Sequence, residues 1–289
     1  MKKEIVSFDR CMPLHHAGHG EKPYRAALVY FGDVEESRNY DTMILNPKYT
    51  FDRYVVGRGN RFAHAVSMAV AEAPGEVYNP LLLYGAPGLG KTHLLHAAGH
   101  LIHKTNPQLK IHYITCEQFI NDYIRAINQK KTHIFRKQFQ SVDVLMIENI
   151  EFLVGKMATQ EEFFNIFNEL YGKEKQIIIT SSKPPQDLAG VDQLLCTRFD
   201  RGLAAAIRRS DHQTRIRFLQ KNAEERNLEI PNEAIQLVAA SLNGDFRQLE
   251  GYLSRLEIYV SMTHEPITPQ MCLRIADDNK SNKGRANNE

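Results

Sequence analysis

The chain has 289 residues, 43% hydrophobic and 24% charged, with a formal net charge of +2. That is the balance of a soluble globular protein with material for one large domain or two modest ones, and it is too weakly basic to argue nucleic-acid binding by itself. No apolar run is long enough to span a bilayer, MKKEIVSFDR has no apolar core behind its charges, and the four cysteines form no Cys-x-x-Cys pair, so free thiols in a reducing cytoplasm are expected.

Residues 1 to 42 show no sustained periodicity and read as a loosely ordered leader. Cys11, His15, His16 and His19 could ligate metal, but their spacing fits no zinc template and their Gly- and Pro-containing context reads as loop. From Ile44 the pattern becomes regular. Asn60 is placed to cap a helix carrying Phe62, Ala63, Val66 and Val70, which ends near Pro74 and Gly75. PLLLYG (80–85) reads as a buried strand, Thr92 to Lys104 as a helix and IHYIT (111–115) as a second strand, followed by helical text to Ile127. VDVLMI (142–147) is a third strand, and Thr159 with Glu162 reads as a capping box opening a Phe-rich helix. QIIITS (176–181) and GLAAAI (202–207) complete the strands. Apolar strands alternating with helices predict an α/β fold, a parallel sheet with helices on both faces, over 43–207. Beyond Arg208 the strand signal stops. Three amphipathic helices (211–227, 233–241 and 246–262) predict a small all-α lid over 208–276, and the polar text 277–289 reads as a disordered tail.

The strongest chemical signal is GAPGLGKT, Gly85 to Thr92, which satisfies G-x-x-x-x-G-K-[ST] between a strand and a helix. Gly85, Gly88 and Gly90 let backbone N–H groups turn around phosphate oxygens at a helix N-terminus. Lys91 is placed to neutralise the β- and γ-phosphates of ATP or ADP, and Thr92 to ligate Mg2+. The third strand runs into Glu148 and Asn149, where such proteins keep a metal-side and a water-side acid. Glu148 keeps the charge with one methylene more than aspartate; Asn149 can orient water but cannot take its proton, which predicts slow hydrolysis and at most weak ATPase activity.

Long blocks narrow the reading. LNPKYTFDRYVVGRGNRFAHAVSMAVAEAPG, YNPLLLYGAPGLGKTHLLHAAGH, SVDVLMIENIEFLVGK and RQLEGYLSRL closely resemble the AAA+ module of the bacterial replication initiator DnaA family, from about Ile44 to about Ile275. The resemblance implies a P-loop NTPase of the AAA+ type that binds ATP or ADP with Mg2+, assembles on nucleotide and acts in initiation of DNA replication or its regulation. It implies an arginine finger at Arg198, in CTRFDRGL, reaching a second copy or a DnaA-type initiator, and a lid sensor at Arg247. It places Tyr54, Val55 and Val56 beside the adenine, adds His93 to the nucleotide site, and sets residues 124–137 against single-stranded DNA, with the replicative helicase a further candidate partner. The chain departs from the family at Ala86, Pro87, Glu148, Asn149, Ser182 and Leu194, and no C-terminal helix-turn-helix domain is legible. The alternatives are a non-hydrolysing regulatory paralogue that docks on the full-length initiator, and a helicase loader.

Overall fold

The computed structural model describes residues 45–242 and 245–286, with side chains through residue 277; Cys11, His15, His16 and His19 lie outside the described residues. Five parallel strands, β1 (Leu81–Tyr84), β2 (Ile111–Thr115), β3 (Val144–Glu148), β4 (Gln176–Ser181) and β5 (Leu203–Ala206), form one sheet in the order β2-β3-β4-β1-β5. β3 and β4 are buried at every position. This follows from parallel strands needing crossover helices, which cover both faces and leave no polar side to the sheet.

Strand alternation sorts the core into two layers. Leu81, Leu83, Val144, Met146 and Ile178 pack with α1 (Arg61–Glu72) and α2 (Lys91–Thr105). Leu82, Leu145, Ile147, Ile177 and Ile179 face the other way. They meet α3 (Cys116–Asn128), α4 (Thr132–Gln140), α5 (Met157–Gly172) and α6 (Gln193–Asp200), through a cluster that includes Phe119, Phe163, Phe167 and Phe199. A third core, around Leu219, Val238, Leu253 and Cys272, joins α7 (His212–Glu225), α8 (Asn232–Ser241), α9 (Phe246–Thr263) and α10 (Pro269–Ala286).

The α/β fold with its all-α lid is as expected, but several local expectations are corrected. The lid has four described helices, because Met271, Cys272, Ile275 and Ala276 bury one face of α10. The backbone of that helix runs on to Ala286, through text read as a disordered tail. Thr159 and Glu162 do not form a capping box: α5 starts two residues earlier, at Met157, and both side chains are buried inside it. Asn60 stands at the start of α1 but does not cap it. Its side chain reaches backward, Oδ1 accepting from the Gly57 N–H (2.7 Å) and Nδ2 donating to the Val55 carbonyl (3.0 Å), and so fixes the loop before the helix.

Helix α4 overlaps the segment 124–137 expected to meet single-stranded DNA, and one of its arginines is engaged within the fold. Arg136 makes a bidentate ion pair with Glu162, both bonds 2.7 Å, and the Glu162 side chain is only 2% exposed. Arg136 is therefore a structural cation that neutralises a buried carboxylate. Arg136→Ala should lower unfolding free energy by about 1–2 kcal/mol, the cost of an unpaired buried charge discounted for the half-exposed arginine. Chemical denaturation measures it; Lys137→Ala next door should change little.

Candidate nucleotide site

Parallel sheets of this kind place ligands at the carboxyl ends of the strands, where the strand order reverses. Here β1 ends in the loop Gly85–Gly90, which opens a cavity of about 1030 Å³. Gly88 has a φ of +78°, and a side chain there would run into Asp245, the residue that caps α9 by accepting from the Gln248 N–H at 2.9 Å. The Gly88 carbonyl accepts from the Phe246 N–H at 3.0 Å, so the first turn of α9 rests directly on the loop. Gly90, at φ +97°, precedes α2, and the Tyr54 ring lies 3.0 Å from where its Cβ would stand. The loop thus delivers its backbone N–H groups to the N-terminal end of α2, which favours anions.

Lys91 is 7% exposed and its Nζ donates to the Gly85 and Ala86 carbonyls at 2.7 and 3.0 Å. Burial holds its ammonium below the usual lysine range, while the Glu151 and Glu148 carboxylates act the other way. Alternation along β3 turns Glu148 to the same face as Val144 and Met146, toward α2. There its Oε1 accepts the Thr92 hydroxyl and its Oε2 accepts the Tyr113 hydroxyl at 2.6 Å. The extra methylene of glutamate is thereby accommodated between two hydroxyls from α2 and β2. Asn149 adopts φ +59° and ψ +58°, a left-handed conformation that asparagine tolerates better than most residues, and its N–H donates to Thr180 Oγ1 at 2.9 Å.

The base-side wall comes from residues before α1. Tyr54 is buried, stands edge-on to His93 with ring centres 5.1 Å apart, and lines the cavity together with Val55. Val56 does not line it; its side chain packs against the core under α1 and α2. Tyr49, which the sequence reading missed, stacks on His93 at 5.0 Å. His93 Nε2 bonds to the Thr50 carbonyl at 2.8 Å and so carries the proton. Burial pushes His93 down to about 4, with the Thr50 bond opposing and Arg53, His96 and Lys221 adding to the fall.

Between pH 6.5 and about 4 the unfolded chain takes up a proton at residue 93 that the folded chain refuses, so stability falls as pH falls through that window. His64 and His96, also lowered by burial, act in the same direction. His93→Gln should reduce the acid loss by at most about 3 kcal/mol, read from urea unfolding at a series of pH values.

The lid closes the far side. Arg247, exposed on α9, lines the cavity, as do Arg226 and Glu250. The lid is tied to the base-side loop by Arg53 Nε to Glu225 Oε1 at 3.2 Å and by Lys221 Nζ to the Asp52 carbonyl. Of the remaining expected residues, Gly85 contributes its carbonyl to Lys91, and Arg198 stands apart from the cavity, on α6, with its guanidinium 5.6 Å from the Phe164 ring centre. Sequence reasoning missed Asn46, Tyr49, Arg53, Tyr113, Glu151 and the lid residues 225–226. Only strand register could have flagged Tyr113, on the strand beside Glu148 and on the same face.

Comparison with known proteins places this geometry in a family. The sequence model of the bacterial DnaA ATPase domain matches residues 45–206. The crystal structure of domain III of the Thermotoga maritima replication initiation protein DnaA superposes with a TM-score of 0.78 at 38% identity, covering 81% of this chain and 98% of that one. This chain belongs to the bacterial DnaA ATPase-domain family. DnaA from Aquifex aeolicus bound to AMPPCP is 38% identical, with a TM-score of 0.70 and coverage of 74% of this chain and 66% of that one. A replication initiator DnaA bound to AMPPCP and single-stranded DNA is 37% identical, with a TM-score of 0.69 and coverage of 76% and 66%. The match to the isolated DnaA domain is thus nearly complete, while the chain spans just under two thirds of the longer DnaA structures. Among the described residues no helix is long and apolar enough to cross a membrane.

Proposed function

We propose that this chain is an ATP/ADP-binding switch of DnaA type, acting in initiation of DNA replication or its control and hydrolysing ATP slowly. One observation carries the reading. The phosphate loop, Lys91, Thr92 and Glu148 converge at one end of a cavity whose opposite wall is the lid with Arg247. The bound AMPPCP of the relatives supports the same ligand class here.

The donor set suits Mg2+. A threonine hydroxyl and a carboxylate are hard oxygen ligands, and two protein oxygens leave places for phosphates and waters, the coordination this ion favours. When bound, Mg2+ neutralises charge on the phosphates. The chain's own residues do the rest. The loop N–H groups and Lys91 fix the phosphates, Tyr113 and Thr92 orient Glu148, and Tyr49, Tyr54 and Val55 shape the base side. Asn149 orients water without accepting its proton, which keeps turnover slow. Arg198, outside this chain's own cavity, is available to a neighbouring copy or to a DnaA-type initiator.

Single-stranded DNA contact is assigned to the tip formed by the end of α3 and the start of α4. Ile124, Ile127 and Ile134 are exposed there beside Lys130, Lys131 and Lys137, an arrangement of apolar and cationic groups suited to bases and phosphates. The single-stranded DNA of one DnaA relative supports this assignment. Fluorescence anisotropy with labelled oligonucleotide tests it. Binding should require ATP, weaken steeply with salt and be lost in Lys130→Glu/Lys131→Glu. Undetectable binding, or binding undiminished in that variant, would remove DNA contact at this tip from the proposal.

A further inference from the structure

Among the carboxylates that line the cavity, Glu151 has a buried oxygen without a hydrogen-bond partner. Glu151 sits in the short 3-10 turn Ile150–Leu153 that follows Asn149, and it lines the cavity alongside Lys91 and Asn149. Its Oε2 is buried and has no hydrogen-bond partner. A buried oxygen of this kind costs free energy until a donor reaches it, so its natural partner is a group that arrives with the substrate. Glu148, by contrast, has both oxygens engaged by hydroxyls.

The geometry points to Glu151 as a catalytic residue, the carboxylate that orients the attacking water and accepts its proton, in place of the acid that position 149 lacks. This inference rests on the nucleotide-binding reading above. The water oxygen bonds to the γ-phosphorus while the bond from that phosphorus to the bridging oxygen breaks, its electron pair leaving on ADP. The water proton passes to a Glu151 oxygen and from there to solvent, and Asn149 hydrogen-bonds the same water. Nothing is oxidised or reduced. The slow turnover of the site then runs through residue 151.

The test measures ATP affinity by equilibrium titration beside single-turnover hydrolysis of ATP with Mg2+, on the full chain. Glu151→Gln, nearly isosteric, should bind ATP as the parent does and hydrolyse it about a hundredfold more slowly. Glu151→Asp, which keeps a carboxylate, should retain part of the rate, and adding Asn149→Asp to the Glu151→Gln chain should restore it. A residue that only balanced the Lys91 charge would change affinity and leave the rate of the bound complex alone. Hydrolysis by Glu151→Gln at the parental rate, or a parent that binds ATP and never cleaves it, would overturn the inference and leave the binding reading intact. Failure of the parent to bind ATP would instead overturn both.

Discussion

Lys91→Ala is expected to weaken ATP and ADP binding by about a hundredfold while leaving the fold in place. Lys91 Nζ, held by the Gly85 and Ala86 carbonyls, lies within the turn of backbone that would wrap the phosphates. A charge-assisted hydrogen bond contributes roughly 1.5–3 kcal/mol, so loss of the contacts this ammonium makes to phosphate oxygens corresponds to about two decades of affinity. Alanine is a good helix former at the start of α2, and removing a lysine whose desolvation opposes its charge costs the fold little. Melting temperature and nucleotide affinity should therefore separate: the first nearly unchanged, the second about a hundredfold weaker. Undiminished affinity would mean that phosphates do not sit at this loop.

Arg198→Ala should act on a different quantity. Arg198 lies on α6 over Phe164 and contributes nothing to the wall of its own chain's cavity. Nucleotide affinity of the isolated chain should then be unaffected. If a neighbouring copy presents its cavity to this guanidinium, ATP turnover per chain should rise with protein concentration in the parent and stay flat in the variant. The separation should reach about a thousandfold at the low end of what an arginine finger supplies. Leu194, one turn before Arg198 and 63% exposed, puts an apolar group on the same helix. A variant with weakened affinity at low protein concentration would show that Arg198 works within its own chain.

What the sequence made legible follows from the range over which each signal acts. The phosphate loop and the strands were readable because a glycine-rich turn between an apolar strand and a helix is a local pattern, and strands buried on both faces are locally apolar. Helix α6 was not, because its eight residues bury only Leu195 and Phe199, too little for a periodic pattern. The reach of α10 was missed because its apolar face ends at Ala276 while the helix runs ten residues further in polar text. Thr159 and Glu162 have the spacing of a capping box, but Glu162 is buried to meet Arg136 from another helix, a tertiary need that local spacing cannot show. In the site, Lys91, Thr92 and Glu148 were found by motif. Tyr113 depended on which strand lies beside β3, and Arg53 with Glu225 on the docking of a lid far along the chain. A lone carboxylate such as Glu151 carries no motif signal, and only the fold brings it to the cavity.

The central claim is that the cavity between the sheet and the lid holds a nucleoside triphosphate or diphosphate by its phosphates. Calorimetric titration of the purified chain with ATP and with ADP in the presence of Mg2+ addresses it most directly. Saturable binding of one nucleotide per chain, weakened about a hundredfold by Lys91→Ala, is the predicted result. No saturable heat with either nucleotide, or binding that survives Lys91→Ala undiminished, would contradict it.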